Sequence, residues 1–137
     1  MTRGIRNNNP LNIRYNRRND WLGKVADVMK CDKEFEEFVS MEYGFRAAIR
    51  LLNNYIRRGY DTPRYIIGRW APPSENDTDR YIEAVCRVTG FRANQVLKVG
   101  TYNVAALLWA MAVIESGQGI WEYDSVFKDA WEKYKTV

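Results

Sequence analysis

The stretch Tyr102-Asn103-Val104-Ala105-Ala106-Leu107-Leu108-Trp109-Ala110-Met111-Ala112-Val113-Ile114-Glu115-Ser116-Gly117-Gln118-Gly119-Ile120-Trp121 is the least polar run in the chain, and it ends abruptly in a carboxylate. From Asn103 to Ile114 apolar residues fall on every side instead of in one stripe. The alanines keep the cylinder thin, which suits a helix buried all round. At about twelve residues the run is too short to span a bilayer. Asn103 is a candidate N-cap, and Gly117 and Gly119 tolerate the positive φ at which a helix stops. Glu115 then falls in the last turn, after an apolar run and at the negative end of the helix dipole. Both circumstances disfavour the ionised form, and a carboxylic acid that keeps its proton near neutral pH is what general-acid catalysis needs. Taken alone, such a helix end also reads as an ordinary glycine stop beside a solvated glutamate.

Working outward from that helix, Ser40 caps a helix with Glu42 in its first turn, and Phe45, Ala48, Ile49, Leu52 and Ile56 recur at helical spacing up to a stop at Gly59. Asp61-Thr62-Pro63 starts a short helix running to about Trp70. The loop Trp70-Ala71-Pro72-Pro73-Ser74-Glu75-Asn76-Asp77-Thr78 is either a rigid connector with Asn76 or Asp77 as the next N-cap, or a groove wall contributing Trp70, Glu75 and Asn76. Thr78 to Val88 makes a helix that buries Tyr81, Ile82 and Val85 and stops at Gly90. A short helix is expected around Asn94 to Lys98, and Asp124 or Ser125 caps a last helix with Phe127, Trp131 and Tyr134 on one face.

The N-terminal third differs. Arg3-Gly4-Ile5-Arg6-Asn7-Asn8-Asn9-Pro10-Leu11-Asn12-Ile13-Arg14 reads as a structured loop leading into an extended segment at Leu11 to Tyr15, with asparagine amides that could meet sugar hydroxyls or acetamido groups. Trp21 to Val28 and Glu34 to Val39 are candidate strands with a turn between them. The expected architecture is therefore mainly α, one helical domain over residues 1–137 with a small two- or three-stranded β lobe near the N-terminus: an α+β arrangement.

Composition narrows the chemistry. The chain has 137 residues and a net charge of +4, which favours an anionic partner without choosing among nucleic acid, cell-wall polymer and membrane surface. Lys and Arg are scattered from Arg3 to Lys135 instead of forming one stripe, which argues against a nucleic-acid-binding surface. There is no histidine, so Ser-His-Asp and Cys-His nucleophile systems and His-containing zinc sites are excluded. Cys31 and Cys86 stand in no metal-like spacing and read as reduced thiols. Neither a phosphate-binding nor a dinucleotide-binding glycine motif is present, and no metal or cofactor is called for. Carboxylates are left as the proton carriers. No apolar run reaches membrane length and Met1 to Asn12 has no signal-peptide-like core, so the expectation is a chain made in the cytoplasm without a Sec signal.

Several of these segments resemble a known family. Ile114-Glu115-Ser116-Gly117-Gln118-Gly119 resembles the Glu-Ser-Gly-aromatic-Gly signature of bacterial peptidoglycan N-acetylglucosaminidases of the autolysin and flagellar-rod type, members of the lysozyme-like superfamily. The block Asn8-Asn9-Pro10-Leu11-Asn12-Ile13-Arg14, Trp21-x-Gly23-Lys24 and Phe35-x-x-Phe38-x-Ser40 is similar to that family's Asn-Asn-Leu-Phe-Gly-Ile-Lys, Trp-x-Gly-Lys and Phe-x-x-Tyr-x-Ser, and Thr78-Asp79-Arg80-Tyr81 is similar to its Thr-Asp-Pro-x-Tyr. The order is circularly permuted, since the glutamate helix here follows the asparagine block; this predicts that Arg3 to Asn12 lies near Gly117 to Trp121. The chain also resembles small phage and prophage proteins opening Gly-Ile-Arg-Asn-Asn-Asn-Pro, some described as virion components.

The resemblance implies a lysozyme-like fold and cleavage of peptidoglycan glycan strands as a glucosaminidase, muramidase or lytic transglycosylase, with Glu115 as general acid. It implies a second carboxylate at Asp32 or, less directly, Asp27; without one, a lytic transglycosylase needs a single glutamate. Asn8, Asn9, Trp21, Trp70, Glu75, Asn76, Thr78, Tyr81 and Gln118 would hold the sugars. Peptidoglycan, reached by holin release, in a phage particle or by dedicated secretion, would be the partner. The alternative is a non-catalytic virion structural or cell-wall-binding module, with other virion proteins as partners.

Overall fold

A computed structural model describes residues 1–74 and 76–137; Glu75, expected in a groove wall, lies outside the described residues. Six helices are formed by the described residues: α1 (Arg3–Arg6), α2 (Met41–Arg57), α3 (Pro63–Trp70), α4 (Thr78–Thr89), α5 (Tyr102–Ser116) and α6 (Asp124–Tyr134). Short 3-10 turns cover Asp27–Met29 and Gln118–Tyr123.

Helix α5 is the axis of the molecule, packed by α1, α2, α4 and the Gln118–Tyr123 turn. Val104, Leu107, Leu108, Met111 and Ala112 are completely buried, and burying each such Leu or Met side chain contributes about 1.5–3 kcal/mol. The helix begins two residues earlier than expected, with Thr101 rather than Asn103 at its N-cap, and ends where Gly117 turns to φ 78°. Phe45 of α2, Trp109 of α5 and Phe127 of α6 meet as an aromatic cluster, with ring centroids 5.0 to 6.4 Å apart. In α2 the Ser40 hydroxyl accepts from the Tyr43 amide, and in α3 the Thr62 hydroxyl accepts from that of Tyr65. Asp77 rather than Asn76 caps α4, and Gly90 closes it in the left-handed conformation. Asn94 to Lys98 is not helical: its Leu97 is buried and its Leu97 amide donates to the Asp61 carbonyl at 2.7 Å, which fixes the segment as a turn under α3.

The expected β lobe is not formed, and the fold is helical without the α+β character assigned to it. Among the described residues there is no sheet, only two isolated antiparallel bridges, Arg14 with Phe35 and Lys24 with Phe38. Backbone groups need partners, but side chains can supply them in place of a ladder. Asn9 donates to the Ile13 and Glu36 carbonyls and accepts from the Ile13 amide. Asp32 accepts from the Glu34 and Phe35 amides, and Glu37 from those of Cys31 and Asp32. The bonds to the Glu34, Phe35 and Glu36 backbone take groups that a neighbouring strand would have used, and those to Cys31 and Asp32 fix the turn before them.

The N-terminal arm, expected as irregular loop, opens with the single helical turn α1 and then packs between the end of α5 and the start of α2. Thr2 Oγ1 donates to the Ser116 carbonyl at 2.7 Å, Ser116 Oγ to the Pro10 carbonyl at 2.8 Å, and Asn12 Nδ2 to the Glu115 carbonyl at 2.9 Å. Arg3 to Asn12 therefore lies against the end of α5. Two asparagines of the arm, Asn8 and Asn12, sit at φ 52°, a conformation that Asn tolerates better than other residues with a side chain. Gly4 and Gly44 make the close approach possible: a Cβ on Gly4 would stand 2.2 Å from Ser116 Oγ, and one on Gly44 1.9 Å from the Asn8 carbonyl oxygen.

Candidate active site

Glu115 reaches the wall of a cleft of about 490 Å³, lined by Asn12, Arg14, Phe35, Tyr55, Arg69, Trp70, Ala71, Pro72, Asn76 and Glu115 itself. Four parts of the chain converge there: the end of the arm, the extended segment at Phe35, the C-terminal turns of α2 and α3 with the loop after them, and the last turn of α5.

Two donors fix the Glu115 carboxyl group. Tyr81 of α4 donates its hydroxyl to Oε2 at 2.9 Å, and Trp70 of α3 donates Nε1 to the same oxygen at 3.3 Å. Burial first, then the charge of Glu115, pushes the Tyr81 phenol far above its ordinary value, so it stays protonated and remains a donor. Among the described residues no donor meets Oε1. The carbonyl of Glu115 is held from the other side by Asn12, so the residue is clamped at both backbone and side chain.

The remaining expected site residues divide clearly. Asn76 lines the cleft with Glu115, Trp70 and Tyr81 form its donor pair, and the other described ones lie elsewhere. Asp32 lines a separate hollow with Arg3, Arg6 and Cys31. Burial opposes ionisation of Asp32, but the Asn7 amide, the Glu34 and Phe35 backbone N–H groups and the Arg3 guanidinium at 3.0 Å together hold its carboxyl below the usual value. It is an ion that organises its own loop, not a carboxylate facing Glu115. Asp27 accepts from the Tyr15 hydroxyl at 2.7 Å on an exposed turn and is likewise absent from the cleft lining. Asn9 is fully buried and spends its amide on backbone, and Asn8 donates to the Phe38 carbonyl. Thr78 is buried and donates to the Ala71 carbonyl, which ties down the double-proline loop. Trp21 packs beside Arg50 and Asn54 in another hollow, and Gln118 is exposed on the turn after α5.

Arg14, Phe35, Tyr55 and Arg69 belong to the cleft and were not singled out by the sequence. Tyr55 falls on α2 beside a strong apolar stripe, and arginines spread through a basic chain give no positional signal. A larger hollow of about 560 Å³ lies between α5 and α6, lined by Tyr102, Trp109, Phe127 and Trp131. Its acidic rim residues are paired, Asp124 with Lys128 at 2.9 Å and Glu132 with Lys135 at 3.1 Å. Among the described residues no group of three or more His, Cys, Asp or Glu is placed to hold a metal ion, and no helix is long and apolar enough to cross a membrane.

No family model matches the chain. It is 40% identical over 127 residues to Protein P5 of Pseudoalteromonas phage PM2, an alignment that covers 92% of this chain and 78% of that protein. With that identity sustained over nearly the whole chain, the protein belongs to the family of this phage protein.

Proposed function

We propose that the cleft cleaves the glycan strands of peptidoglycan, with Glu115 as the general acid that protonates the glycosidic oxygen. The observation that carries this reading is the fixed Glu115 carboxyl: two side-chain donors on Oε2, none on Oε1, at the wall of a cleft that also presents Phe35, Tyr55 and Trp70. Aromatic faces suit pyranose rings, and Asn76 offers an amide for acetamido groups. A positioned general acid contributes about 10²–10⁴-fold, and distortion of the bound sugar adds to it. The resemblance of the Glu115 helix end and the Asn8 to Ser40 block to the peptidoglycan glucosaminidases supports the same chemistry.

Glu115 is the single carboxylate that lines the cleft among the described residues. One glutamate suffices where the sugar's own hydroxyl attacks the anomeric carbon, so the lytic-transglycosylase variant fits this lining best. Here Glu115 gives its proton to the leaving oxygen and, as a carboxylate, accepts the one released by the attacking hydroxyl; the product ends in a 1,6-anhydro sugar. As a phage-family protein the chain would act at the cell wall from a virion or after lysis-stage release. The relationship to Protein P5 also favours a second reading, a virion module that binds the wall or other virion proteins without cutting.

Digestion of purified peptidoglycan by wild type and Glu115→Gln, with products identified by mass spectrometry, separates these. Soluble muropeptides from wild type alone are expected, with 1,6-anhydro ends. Reducing ends in their place would give hydrolysis and require a second carboxylate. No products, with the protein retained on the sedimented wall, would replace the enzyme with a binding module.

A further inference from the structure

Resting on the glycan-cleaving reading of this cleft, we propose that Arg14 and Arg69 make it selective for a glycan whose sugar substituents carry a carboxylate. Both side chains are exposed and line the cleft with Glu115. Arg14 comes from the extended segment after the arm, and Arg69 from the last turn of α3 beside Trp70. Arginines elsewhere that the fold employs include Arg3, paired with Asp32 at 3.0 Å, Arg57, which donates to the Thr136 and Val137 carbonyls, and Arg64, which donates to Asn94. Among the described residues neither Arg14 nor Arg69 has a carboxylate within ion-pair distance or an acceptor for its N–H groups.

Each is instead laid against an aromatic ring. The Arg14 guanidinium lies 5.2 Å from the centroid of Phe35, and that of Arg69 lies 4.6 Å from the centroid of Tyr60. Stacking of this kind orients a planar fork while leaving its N–H edge open, the arrangement that receives a carboxylate through two parallel hydrogen bonds. A cleft built for a neutral polysaccharide gains nothing from two cations on its walls. Peptidoglycan supplies the complementary group in two forms: the lactyl substituent of alternate sugars, and the carboxylates of the stem peptides attached there. The shared chemistry is a carboxylate carried on a sugar in the cleft.

Binding to Glu115→Gln, which is not expected to turn the ligand over, tests this. Calorimetry would use three probes of equal sugar length: alternating N-acetylglucosamine and N-acetylmuramic acid with stem peptides, the same strand with the stems removed, and an N-acetylglucosamine oligomer. The acidic strands are expected to bind about tenfold or more tighter than the neutral one, corresponding to one net charge-assisted contact. Preference for the stripped strand would assign the lactyl carboxylate, and preference for the stem-bearing strand the peptide carboxylate. Arg14→Gln and Arg69→Gln, added to Glu115→Gln, are expected to bring the acidic-to-neutral ratio toward one with unchanged thermal unfolding, as both residues are exposed. Equal affinity for acidic and neutral strands, or a preference that survives both substitutions, would overturn the arginine assignment while leaving glycan cleavage intact. Binding of none of the probes, together with no digestion by wild type, would overturn the glycan reading and the assignment with it.

Discussion

Gly44→Ala should damage the protein although alanine is the better helix former. In an unobstructed helix interior the change is favourable by about 0.5–1 kcal/mol. Here the added Cβ would stand 1.9 Å from the Asn8 carbonyl oxygen and 2.8 Å from Pro10 Cδ, against ordinary contact at 3.4 Å or more, so one side must retreat by about 1.5 Å. Asn8 has little freedom to retreat. It already occupies φ 52°, its amide donates to the Ile5 carbonyl at 3.1 Å, and its side chain donates to that of Phe38 at 3.0 Å. Lifting the arm would expose Leu11 and break the Asn9 and Ser116 bonds. Overpacking of a rigid contact costs about 1–3 kcal/mol, and a retreat of about 1.5 Å belongs at the upper end; less the helix-propensity gain, the net loss is roughly 2 kcal/mol. For a domain of this size that is a fall in Tm of roughly 3–5 °C per kcal/mol. Gly68→Ala is the matched control, since it lies within α3 with no atom within 4 Å of its Cβ and should raise Tm. Denaturant unfolding of both variants beside wild type decides the matter. A Gly44→Ala protein as stable as wild type would refute the close approach of arm and helix on which the placement of Glu115 depends.

Other consequences can be checked in the same preparations. Tyr81→Phe removes the 2.9 Å bond to Glu115 with little change in shape, and kcat for muropeptide release should fall about tenfold while the unfolding midpoint moves little. Asn9→Ala leaves the buried Ile13 amide and the Glu36 carbonyl without their partner and should cost about 2–4 kcal/mol in urea unfolding. The folded-state carboxyl of Asp32 titrates below its ordinary 3.8, so its contribution is present above about pH 4 and is lost as pH falls through the depressed value. Asp32→Asn should therefore be destabilised at pH 7, and its gap to wild type should close under acid; a constant gap would show that its charge does not matter.

Much of the helical frame was legible because its signals are local and repeated. The all-apolar Asn103 to Ile114 run, the Phe45 to Ile56 stripe and the Thr62-Pro63 start each led to the helix that forms, and Glu115 occupies the expected last turn. The β lobe was not legible. The backbone of Glu34 to Val39 does pair, with Asn7, Ile13, Tyr15, Gly23 and Val25, but side chains of Asn9 and Asp32 take the Glu36 carbonyl and the Glu34 and Phe35 amides, so only isolated bridges form, and no rule of periodicity announces such a side chain. The same difficulty led Asn8 and Asn9 to be read toward sugars when their amides serve the fold. Trp70 and Tyr81 were singled out as groove residues, yet their role as twin donors to one carboxylate oxygen depends on how α3, α4 and α5 cross. Arg14 and Arg69 lie 55 positions apart and become neighbours of one cleft only in three dimensions.

The docking of the arm against α5 also sets an order of events. Its bonds to Ser116, Glu115 and Pro10 join residues 103 to 114 positions apart, whereas the pairs within each helix are four apart. During synthesis the arm finds its partners near Ile13 and Glu36 early, but its contacts with Glu115 and Ser116 wait until those residues have left the ribosome. Contacts of such long range close late, after the local helices have formed and the cost of the loop has been met. The segment made first thus meets its own third of the chain early and α5 last, and Glu115 gains its backbone clamp only in that final step.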